Sequence, residues 1–324
     1  MPPSRTLDIA VVMDPIAGIR TAKDSTFAML LEAQRRGHRL LYVAPGGLGM
    51  RDGRTEARMA ALQVREHPDS WHTLGDFETL PLAGGIDVVL MRTDPPVDAA
   101  YVHDTQILSQ AQSEGVLVVN DPRGLRDLNE KLAAFLFPQC CPPTLVSRDA
   151  AALKAFVAEH GQAVLKPLDG MGGRSIFRAN ADDPNLNVIL ETLIGGTRLH
   201  PGQMVMAQRY LPEIADGDKR ILLVDGEPVP YCLARIPQGK EFRGNLAAGG
   251  RGEGRPLTER DRWIAAQVGP ELKRRGMLFV GLDVIGDWLT EVNVTSPTCI
   301  RELDKQFGLN IAGLLFDVIE ARLG

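Results

Sequence analysis

The first third of the chain alternates apolar runs with a helical pattern. Four continuous apolar runs are typical of strands buried on both faces. Between the first two runs, residues 26–36 have the spacing of a helix, with Ser25 placed to cap its start and Gly37 to end it. A strand, a helix and a strand at this spacing form a βαβ unit, so the pattern predicts a parallel sheet. The predicted strands are residues 7–13, 39–44, 86–91 and 116–119.

Polar residues follow three of these predicted strands at the point where each one ends. Asp14 follows the first, Arg92 and Asp94 follow the third, and the pair Asn120 and Asp121 follows the fourth. In open α/β sheets, ligands bind at the carboxyl ends of the strands, so these residues are candidates for a small polar ligand. Turn chemistry explains them equally, because three of the acids precede a proline and Asp-Pro pairs are turn signals.

The pattern changes near residue 122. Residues 125–137 and 149–160 are predicted to be helices, separated by a break at Pro142 and Pro143. From residue 163 onward, short strands and glycine-bearing loops dominate, until a closing helix is predicted at residues 310–323. The sequence therefore predicts a parallel-sheet α/β domain followed by an α+β half.

A first glycine-rich loop follows a strand that ends in a lysine. The strand at residues 163–167 carries Lys166, and a second strand is predicted at 175–178. A glycine loop between strands can present backbone N–H groups to phosphates, and a lysine adds a point charge. A flexible hairpin with a solvated lysine is the alternative. The loop residues in question are Gly170, Met171, Gly172 and Gly173.

A second, longer loop holds six glycines between Gly239 and Gly254. Residues 235–255 contain five cations and two acids, which gives this stretch a local charge of +3. A cationic, glycine-rich loop between strands fits a lid that closes over anionic groups and excludes water. A surface insertion is the alternative interpretation.

A predicted β-hairpin, residues 278–285 and 288–294, carries two acids and an amide. Period-2 alternation places Glu291 and Asn293 on one face, and a three-residue turn would set Asp283 opposite Glu291. A two-residue turn would move Asp283 by one position. Such oxygen donors suit Mg²⁺, although pairing of the acids with a cation such as Arg220 is the alternative. After the hairpin, Ser296 is predicted to cap a helix.

Composition excludes several classes of protein. The chain has 324 residues with a net charge of −5, which disfavours binding to nucleic acid or to a membrane surface. Four irregularly spaced cysteines do not form a disulfide framework, and the six histidines show no zinc-binding spacing. The apolar runs are too short for a membrane span or a signal peptide, so we expect a cytoplasmic protein. Glycine is in excess, at 33 residues.

Taken together, the lysine strand with its loop, residues 208–211 and the Asp283, Glu291 and Asn293 hairpin resemble ATP-grasp enzymes. More specifically, the chain resembles the bacterial glutathione synthetase family over essentially its whole length. The departures are Arg20, where asparagine is expected, and a slightly long segment at 195–202. Matching stretches include residues 13–16, 23–37, 91–96, 129–132, 165–177, 216–220, 224–255 and 280–302.

The resemblance implies a Rossmann-like, pre-ATP-grasp substrate domain at 1–122, then an ATP-grasp fold made of a lid subdomain at 123–205 and a metal-bearing subdomain at 206–324. It implies that ATP phosphorylates the cysteinyl carboxylate of γ-glutamylcysteine, that glycine then attacks the acyl phosphate, and that glutathione, ADP and phosphate leave. ATP and Mg²⁺, for which Mn²⁺ could substitute, are the implied cofactors. A homotetramer without nucleic-acid or membrane partners is the implied assembly.

The resemblance also implies roles for individual residues. The ATP site would comprise Lys131, Lys166, Gly170, Met171, Gly172, Gly173, Gln208, Tyr210, Leu211 and Asp218. Asp283, Glu291 and Asn293 would ligate the metal, and Asp14, Ser25, Arg92, Asp94 and Ser296 would bind substrate. Arg220 and Arg235 would stabilise the acyl phosphate and the oxyanion, while Arg243 and Asn245 would lie on the lid.

Three other functions share part of this pattern. A different carboxylate–amine ligase, related to D-alanine–D-alanine ligase, would keep the lid and metal residues but lack the set formed by Asp14, Arg92 and Asp94. A nucleotide-binding scaffold similar to synapsin would keep the fold without ligase chemistry, which intact Lys166, Arg220 and Glu291 argue against. A kinase would release a phosphorylated product rather than a peptide.

Overall fold

Three β-sheets organise the part of the chain that the structure describes. The computed structural model describes residues 5–67, 69–197, 200–239, 243–244 and 249–324. Among the helices of these residues, none combines the length and apolar character needed to cross a membrane. The strands are β1 Asp8–Val12, β2 Arg39–Arg51, β3 Arg54–Val64, β4 His72–Pro81, β5 Val88–Met91, β6 Leu117–Val119, β7 Thr144–Ser147, β8 Gln162–Pro167, β9 Phe177–Asn180, β10 Val205–Arg209, β11 Asp218–Val224, β12 Glu227–Ile236, β13 Arg251–Pro256, β14 Phe279–Ile285 and β15 Trp288–Asn293. The helices are α1 Ser25–Arg35, α2 Ala99–Ser113, α3 Pro122–Asp127, α4 Ala150–His160, α5 Leu186–Ile194, α6 Glu259–Arg274, α7 Ile300–Phe307 and α8 Ile311–Leu323.

The first sheet has six strands in the order β4-β3-β2-β1-β5-β6. Its β2-β1-β5-β6 part is parallel, which confirms the predicted βαβ arrangement. The prediction missed β3 and β4, which continue the sheet in the antiparallel sense. The local signal was an Asp52-Gly53 turn, where both residues have positive φ angles of 51° and 79°. This pair joins β2 to β3 as a tight hairpin, for which Asp-Gly is a favoured sequence.

Two predicted helix starts are wrong in detail. Asp24, not Ser25, caps α1, because its carboxylate accepts from the Phe27 N–H at 2.7 Å. Ser25 is buried instead, and its hydroxyl accepts from the Ile300 N–H at 3.2 Å. Ser296 does not cap a helix either, because α7 begins only at Ile300.

The helix predicted at 125–137 is also wrong. The helix α3 ends at Asp127, and a short 3-10 helix follows at Leu132–Leu136. The reason is local, because the Asn129 side chain accepts from the N–H groups of Lys131 and Leu132, both at 3.1 Å. Such side-chain bonds offer the backbone an alternative to continuing the helix.

The second sheet has its own core, whereas the first and third share theirs. The four-stranded sheet, β7-β10-β8-β9, packs with α4 and α5 around Leu153, Leu165 and Leu190. The five-stranded sheet, β13-β12-β11-β14-β15, shares one buried cluster with the first sheet, in which Val89 of β5 and Val280 of β14 both participate. The first and third sheets are therefore joined by a continuous apolar core.

Asn120, directly after β6, joins these two sheets with polar contacts. Its amide nitrogen donates to the carbonyl oxygens of Phe279 at 2.8 Å and Val294 at 2.7 Å, and its amide oxygen accepts from the Phe279 N–H at 2.9 Å. Asp121 accepts from the Arg123 and Gly124 N–H groups and caps α3. The polar residues at the end of β6 therefore stabilise the fold, as the turn interpretation predicted, and are not ligand-binding residues.

Replacing Asn120 with alanine should lower the free energy of unfolding by about 2–4 kcal/mol, because it leaves buried backbone groups without partners. Chemical denaturation monitored by circular dichroism measures the change. Asn185→Ala is the matched control, since Asn185 is exposed and its side chain makes no capping hydrogen bond. Equal stability of the two variants would show that the Asn120 contacts do not hold the sheets together.

Candidate functional site

A cavity of about 570 Å³ is lined by residues of the second and third sheets and by loops, which include those that follow β1 and β5 of the first sheet. Its wall contains nearly all the residues that the sequence predicted for the ATP, metal and catalytic roles. Of the predicted substrate residues, only Asp94 and Ser296 line it. The predicted residues on the wall are Asp94, Lys131, Lys166, Gly170, Met171, Gly172, Gly173, Gln208, Tyr210, Leu211, Asp218, Arg220, Arg235, Arg243, Asp283, Glu291, Asn293 and Ser296.

Two buried lysines lie beside the first glycine loop. Lys131 Nζ lies 3.0 Å from Glu291 Oε1 and donates to the Gly170 carbonyl oxygen at 2.7 Å. Lys166 Nζ donates to Gln208 Oε1 at 3.4 Å. Burial lowers the pKa of Lys166, the nearby Glu291 charge opposes this shift, and Lys131 adds to it. Two such cations, brought together from separate segments, favour the approach of phosphate oxygens.

A second group of charges lies on adjacent strands of the third sheet. Arg220 binds Asp283 through two bonds, Nε to Oδ1 at 2.6 Å and Nη2 to Oδ2 at 3.1 Å. Arg235 Nη2 contacts Asp283 Oδ2 at 2.9 Å and Asp218 Oδ2 at 2.5 Å. These four residues are buried. Asp283 is therefore paired with Arg220, which was the alternative to metal binding for the acids of the hairpin.

The pKa values of the two acids in this group are shifted in opposite directions. Burial disfavours the charge on Asp283, but Arg220 and Arg235 outweigh it and hold the pKa of Asp283 well below its usual range. Burial raises the pKa of Asp218 to about 7, against the opposing charge of Arg235 and with the help of Asp283. Asp218 Oδ1 is buried and has no hydrogen-bond partner. This group therefore gives the cavity wall two fixed cations and a carboxylate, Asp218, with an unused oxygen.

The predicted metal-binding hairpin forms, with Asp283 directly opposite Glu291. The connection is the two-residue one, Gly286-Asp287, and an irregularity between Asp283 and Val284 restores the pairing that the longer turn would have given. Asn293 Nδ2 donates to the Gly281 carbonyl oxygen at 3.1 Å, which leaves its amide oxygen as the group for a cation.

Within the described ranges, no group of three or more His, Cys, Asp or Glu side chains is arranged to hold a metal ion. Glu291 and Asn293 nevertheless supply oxygen donors on the cavity wall, beside the two lysines. Mg²⁺ is usually held by one or two carboxylates together with substrate phosphates rather than by a full protein cage. The donor set therefore fits Mg²⁺ that arrives with a nucleotide.

The carboxyl ends of β1 and β5 meet as predicted, but Asp14 and Arg92, which follow these strands, do not line the cavity. Ser25, at the start of α1, does not line it either. Asp14 Oδ2 accepts from the Asp94 N–H at 2.9 Å, while the buried Arg92 donates to Thr26 Oγ1 at 3.1 Å and to the Pro297 carbonyl oxygen at 3.0 Å. Burial raises the pKa of Asp94, against a hydrogen bond from Ser296 and the charge of Arg92.

The two glycine-rich loops contact each other. Arg243 Nη1 donates to the Gly173 carbonyl oxygen at 2.7 Å. Gly244 passes so close to β12 that a β-carbon there would lie 2.2 Å from the Arg235 carbonyl oxygen. Asn245, which the sequence also placed on this loop, lies outside the described residues.

Several cavity residues were missed as candidates. From the sequence, Glu130 belongs only to a stretch that matches the family, and Arg20 is a departure from the family without an assigned role. Lys23, Asp24 and Glu302 also line the cavity, where the loop before α1 faces the start of α7. A charged residue adjacent to a predicted ligand, such as Glu130 beside Lys131, was the available signal.

Comparison with known proteins agrees with this geometry. Family models match residues 7–126, as the prokaryotic glutathione synthetase N-terminal domain, and 130–308, as the prokaryotic glutathione synthetase ATP-grasp domain. A glutathione synthetase of Xanthomonas axonopodis pv. citri is 76% identical and covers 98% of both chains. One from Escherichia coli O6:H1 is 57% identical, with 98% of this chain and 99% of that protein covered.

Solved structures show the same fold at low identity. D-cycloserine synthetase DcsG superposes with a TM-score of 0.66 and 15% identity, covering 98% of this chain and 100% of that one. Together with the family models, this likeness confirms the predicted fold, an N-terminal α/β domain followed by an ATP-grasp domain. The chain belongs to the prokaryotic glutathione synthetase family.

Proposed function

We propose that the chain is an ATP-dependent ligase that joins γ-glutamylcysteine to glycine. The observation that carries the proposal is the placement of Lys131, Lys166, Arg220 and Arg235 on the wall of one cavity, with the oxygen donors of Glu291 and Asn293 beside them. Four cations around one space suit a reaction whose reactants and intermediate carry phosphate and carboxylate charge. Family membership and the named relatives support the same conclusion.

The first chemical step is transfer of the γ-phosphoryl group. The cysteinyl carboxylate attacks the γ-phosphorus, the bond to the β-phosphate oxygen breaks, and ADP leaves. Lys131 and Lys166 bind phosphate oxygens, the Gly170–Gly173 loop covers them with N–H groups, and Gln208, Tyr210, Leu211 and Asp218 receive the nucleoside. Mg²⁺ held by Glu291 and Asn293, with Asp283 adjacent, would neutralise phosphate charge, and Mn²⁺ could substitute for it.

The second step forms the peptide bond. The glycine amine attacks the acyl carbon, the C–O bond to phosphate breaks, and the proton lost by the nitrogen leaves with the departing phosphate. Arg220 and Arg235 are fixed by Asp283 and Asp218, so they can stabilise the oxyanion without reorganising. Burial raises the pKa of the Cys299 thiol, which makes it a poor nucleophile. Activation by ATP removes the need for a protein nucleophile.

We also propose the domain division 1–122, 123–205 and 206–324, with one adjustment. The strand β10 pairs with β7 and β8 in the four-stranded sheet, so we place the second boundary after Arg209. The proposed substrate residues are Asp14, Ser25, Arg92, Asp94 and Ser296. Of these, Asp94 and Ser296 line the cavity, and the other three support the residues that line it. A cytoplasmic homotetramer is proposed from the family resemblance alone.

ADP release should require γ-glutamylcysteine, glycine and Mg²⁺ together, and mass spectrometry should find glutathione. A coupled ADP assay with each component omitted in turn measures this. Release of ADP without glycine, together with a stable phosphorylated product, would indicate a kinase. Turnover only with a different acceptor pair would indicate another carboxylate–amine ligase, which is the alternative function.

Gly244→Ala should uncouple ATP hydrolysis from peptide formation. A β-carbon at this position forces the loop away from the Arg235 carbonyl oxygen, and an acyl phosphate left open to water hydrolyses. The ratio of ADP to glutathione should rise at least about twofold. Gly252→Ala, on the following strand β13, is the control, because the atoms nearest to its β-carbon would be those of the Leu233 side chain, at 3.3 Å or more. An equal ratio of ADP to glutathione in the two variants would contradict the protective role of this loop.

Glu130→Ala should weaken metal binding. Glu130 Oε1 accepts from the Val294 N–H at 2.9 Å, the Thr295 N–H at 3.1 Å and Thr295 Oγ1 at 2.8 Å, while its carbonyl oxygen accepts from the Val292 N–H at 2.8 Å. Glu130 therefore positions the backbone that carries Glu291 and Asn293. Loss of such supporting contacts typically reduces metal affinity about 10–100-fold.

Two measurements test this positioning role. Mn²⁺ binding in the presence of ADP, followed by electron paramagnetic resonance, gives affinity without turnover, and the Mg²⁺ dependence of activity gives the kinetic counterpart. Glu130→Gln keeps an acceptor oxygen and should largely restore both values. Unchanged Mn²⁺ affinity in Glu130→Ala would contradict the role.

A further inference from the structure

The ammonium group of Lys131 is fully occupied by the protein itself. Its Nζ atom lies 3.0 Å from Glu291 Oε1 and donates to the carbonyl oxygens of Gly170 at 2.7 Å and Leu168 at 3.3 Å. An ammonium group has three N–H donors and no acceptor, so these three oxygens account for all of its donors. The side chain is buried, with 4% of its surface exposed. Lys131 can therefore receive a phosphate oxygen only by giving up a contact that it makes now.

Lys166, the second lysine of the cavity, is held differently. Among the described residues, Lys166 Nζ donates only to Gln208 Oε1, and that hydrogen bond is long, at 3.4 Å. Lys166 is buried like Lys131. Two of its three donors therefore have no partner among the described residues and suit an incoming anion, whereas Lys131 is engaged with an acid that was predicted to bind metal.

The acids of the predicted metal site already have positively charged partners. Glu291 is paired with Lys131, and Asp283 is paired with two arginines. A divalent cation that arrived alone would therefore meet a carboxylate whose charge is neutralised, together with an ammonium group that repels the cation. The contacts of the protein thus disfavour metal binding before a nucleotide is present.

The balance of charge links the two ligands. If a metal ion alone displaced Lys131 from Glu291, the buried ammonium group would keep carbonyl partners but would lose its counter-charge. If a nucleotide alone drew Lys131 away, the carboxylate of Glu291 would lose its cation. Buried or partly buried charges without partners are unfavourable. When both ligands arrive together, Lys131 gains a phosphate and Glu291 gains a metal ion, so each charge exchanges one partner for another.

We propose that Lys131 is a switch that keeps metal off Glu291 until a nucleotide phosphate binds its ammonium group. The inference rests on the proposed function, from which it takes a nucleotide and a divalent cation as the two ligands. Exchange of partners also releases the carbonyl oxygens of Leu168 and Gly170, so the first glycine-rich loop becomes free to turn its N–H groups toward the phosphates. One side chain thereby links metal binding, nucleotide binding and movement of the loop.

Mn²⁺ binding to the nucleotide-free protein tests the switch. Electron paramagnetic resonance measures the Mn²⁺ affinity of wild type and of Lys131→Met, which keeps the length of the side chain and removes its charge. The affinity should rise at least about tenfold in Lys131→Met, because an adjacent unit charge typically changes the affinity of a charged site by this factor or more. Adding Glu291→Gln to Lys131→Met should abolish the gain. Since misfolding does not create a metal site, a gain that depends on Glu291 supports the switch.

Two single variants are the controls. Lys131→Arg keeps the charge, so it should bind Mn²⁺ as weakly as wild type in the absence of nucleotide. Burial lowers the pKa of Lys166 and the charge of Glu291 opposes that shift, so Lys166 lies near Glu291, although the ion pair of Glu291 is with Lys131. Lys166→Met should therefore give a smaller gain than Lys131→Met. An equal gain would show that the total charge of the cavity limits metal binding, which would overturn the proposal.

Hydrogen exchange measured by mass spectrometry tests the release of the loop. Residues 168–174 should exchange faster in Lys131→Met than in Lys131→Arg, because the ammonium contacts to the two carbonyl oxygens are lost in Lys131→Met. Equal exchange in the two variants would contradict the link between Lys131 and the loop.

Wild type provides a test that does not depend on any variant. Its Mn²⁺ affinity should be low without nucleotide and should rise when ADP is added, and equal affinities in the two conditions would overturn the proposal. Failure of the proposed function is a separate result. Wild type that makes no glutathione would refute the ligase assignment, whereas the Mn²⁺ and ADP measurements would still decide the role of Lys131.

Discussion

The arrangement of the cavity depends on the buried contacts of Asp283 with two arginines. A guanidinium taken out of water is tolerated when an acid lies against it, and removal of one partner leaves an uncompensated buried charge. Asp283 serves both Arg220 and Arg235, and Asp218 adds a second contact to Arg235. The cations are thereby held in place before any ligand binds, which is the condition under which fixed charges stabilise a developing oxyanion.

Strand register makes this contact possible. Arg220 of β11 is the direct cross-strand partner of Asp283 on β14, and Asp218 of β11 is the partner of Arg235 on β12. Side chains alternate between the two faces of a sheet, so a slip of one residue would move a whole set of charges to the opposite face. The next cross-strand pair, Ile221 with Leu282, is fully buried and fixes that register. The packing that fixes the register of the third sheet therefore also fixes the positions of the charges in the cavity.

The sequence predicted the residue types of the site better than their partners. Lys166, the glycine loop and Glu291 were identified because each occupies a strand end, a turn or an alternating position that the pattern displays. Pairing of an acid with Arg220 was one of two interpretations of the hairpin, but the second partner of Asp283, Arg235, was not predicted. That contact joins strands far apart in the sequence, which local pattern does not encode. The break after α3 was missed for a related reason, because the Asn129 side chain competes with the helix in a way that apolar spacing does not reveal.

Two residues on the cavity wall, one on a strand and one on a helix, each carry a buried side-chain oxygen without a hydrogen-bond partner. Asp218 Oδ1 belongs to the strand beside the arginines, and Glu302 Oε2 belongs to the helix that faces the N-terminal loops. Buried acceptors of this kind lower stability when empty and favour a ligand that brings a donor, because binding then removes the penalty. Asp24, Asp94 and Asp14 differ from these two acids, because their carboxylates accept hydrogen bonds that hold the loops together. A ligand that donates a hydrogen bond to either acceptor would therefore add binding free energy to that supplied by the cations on the same wall.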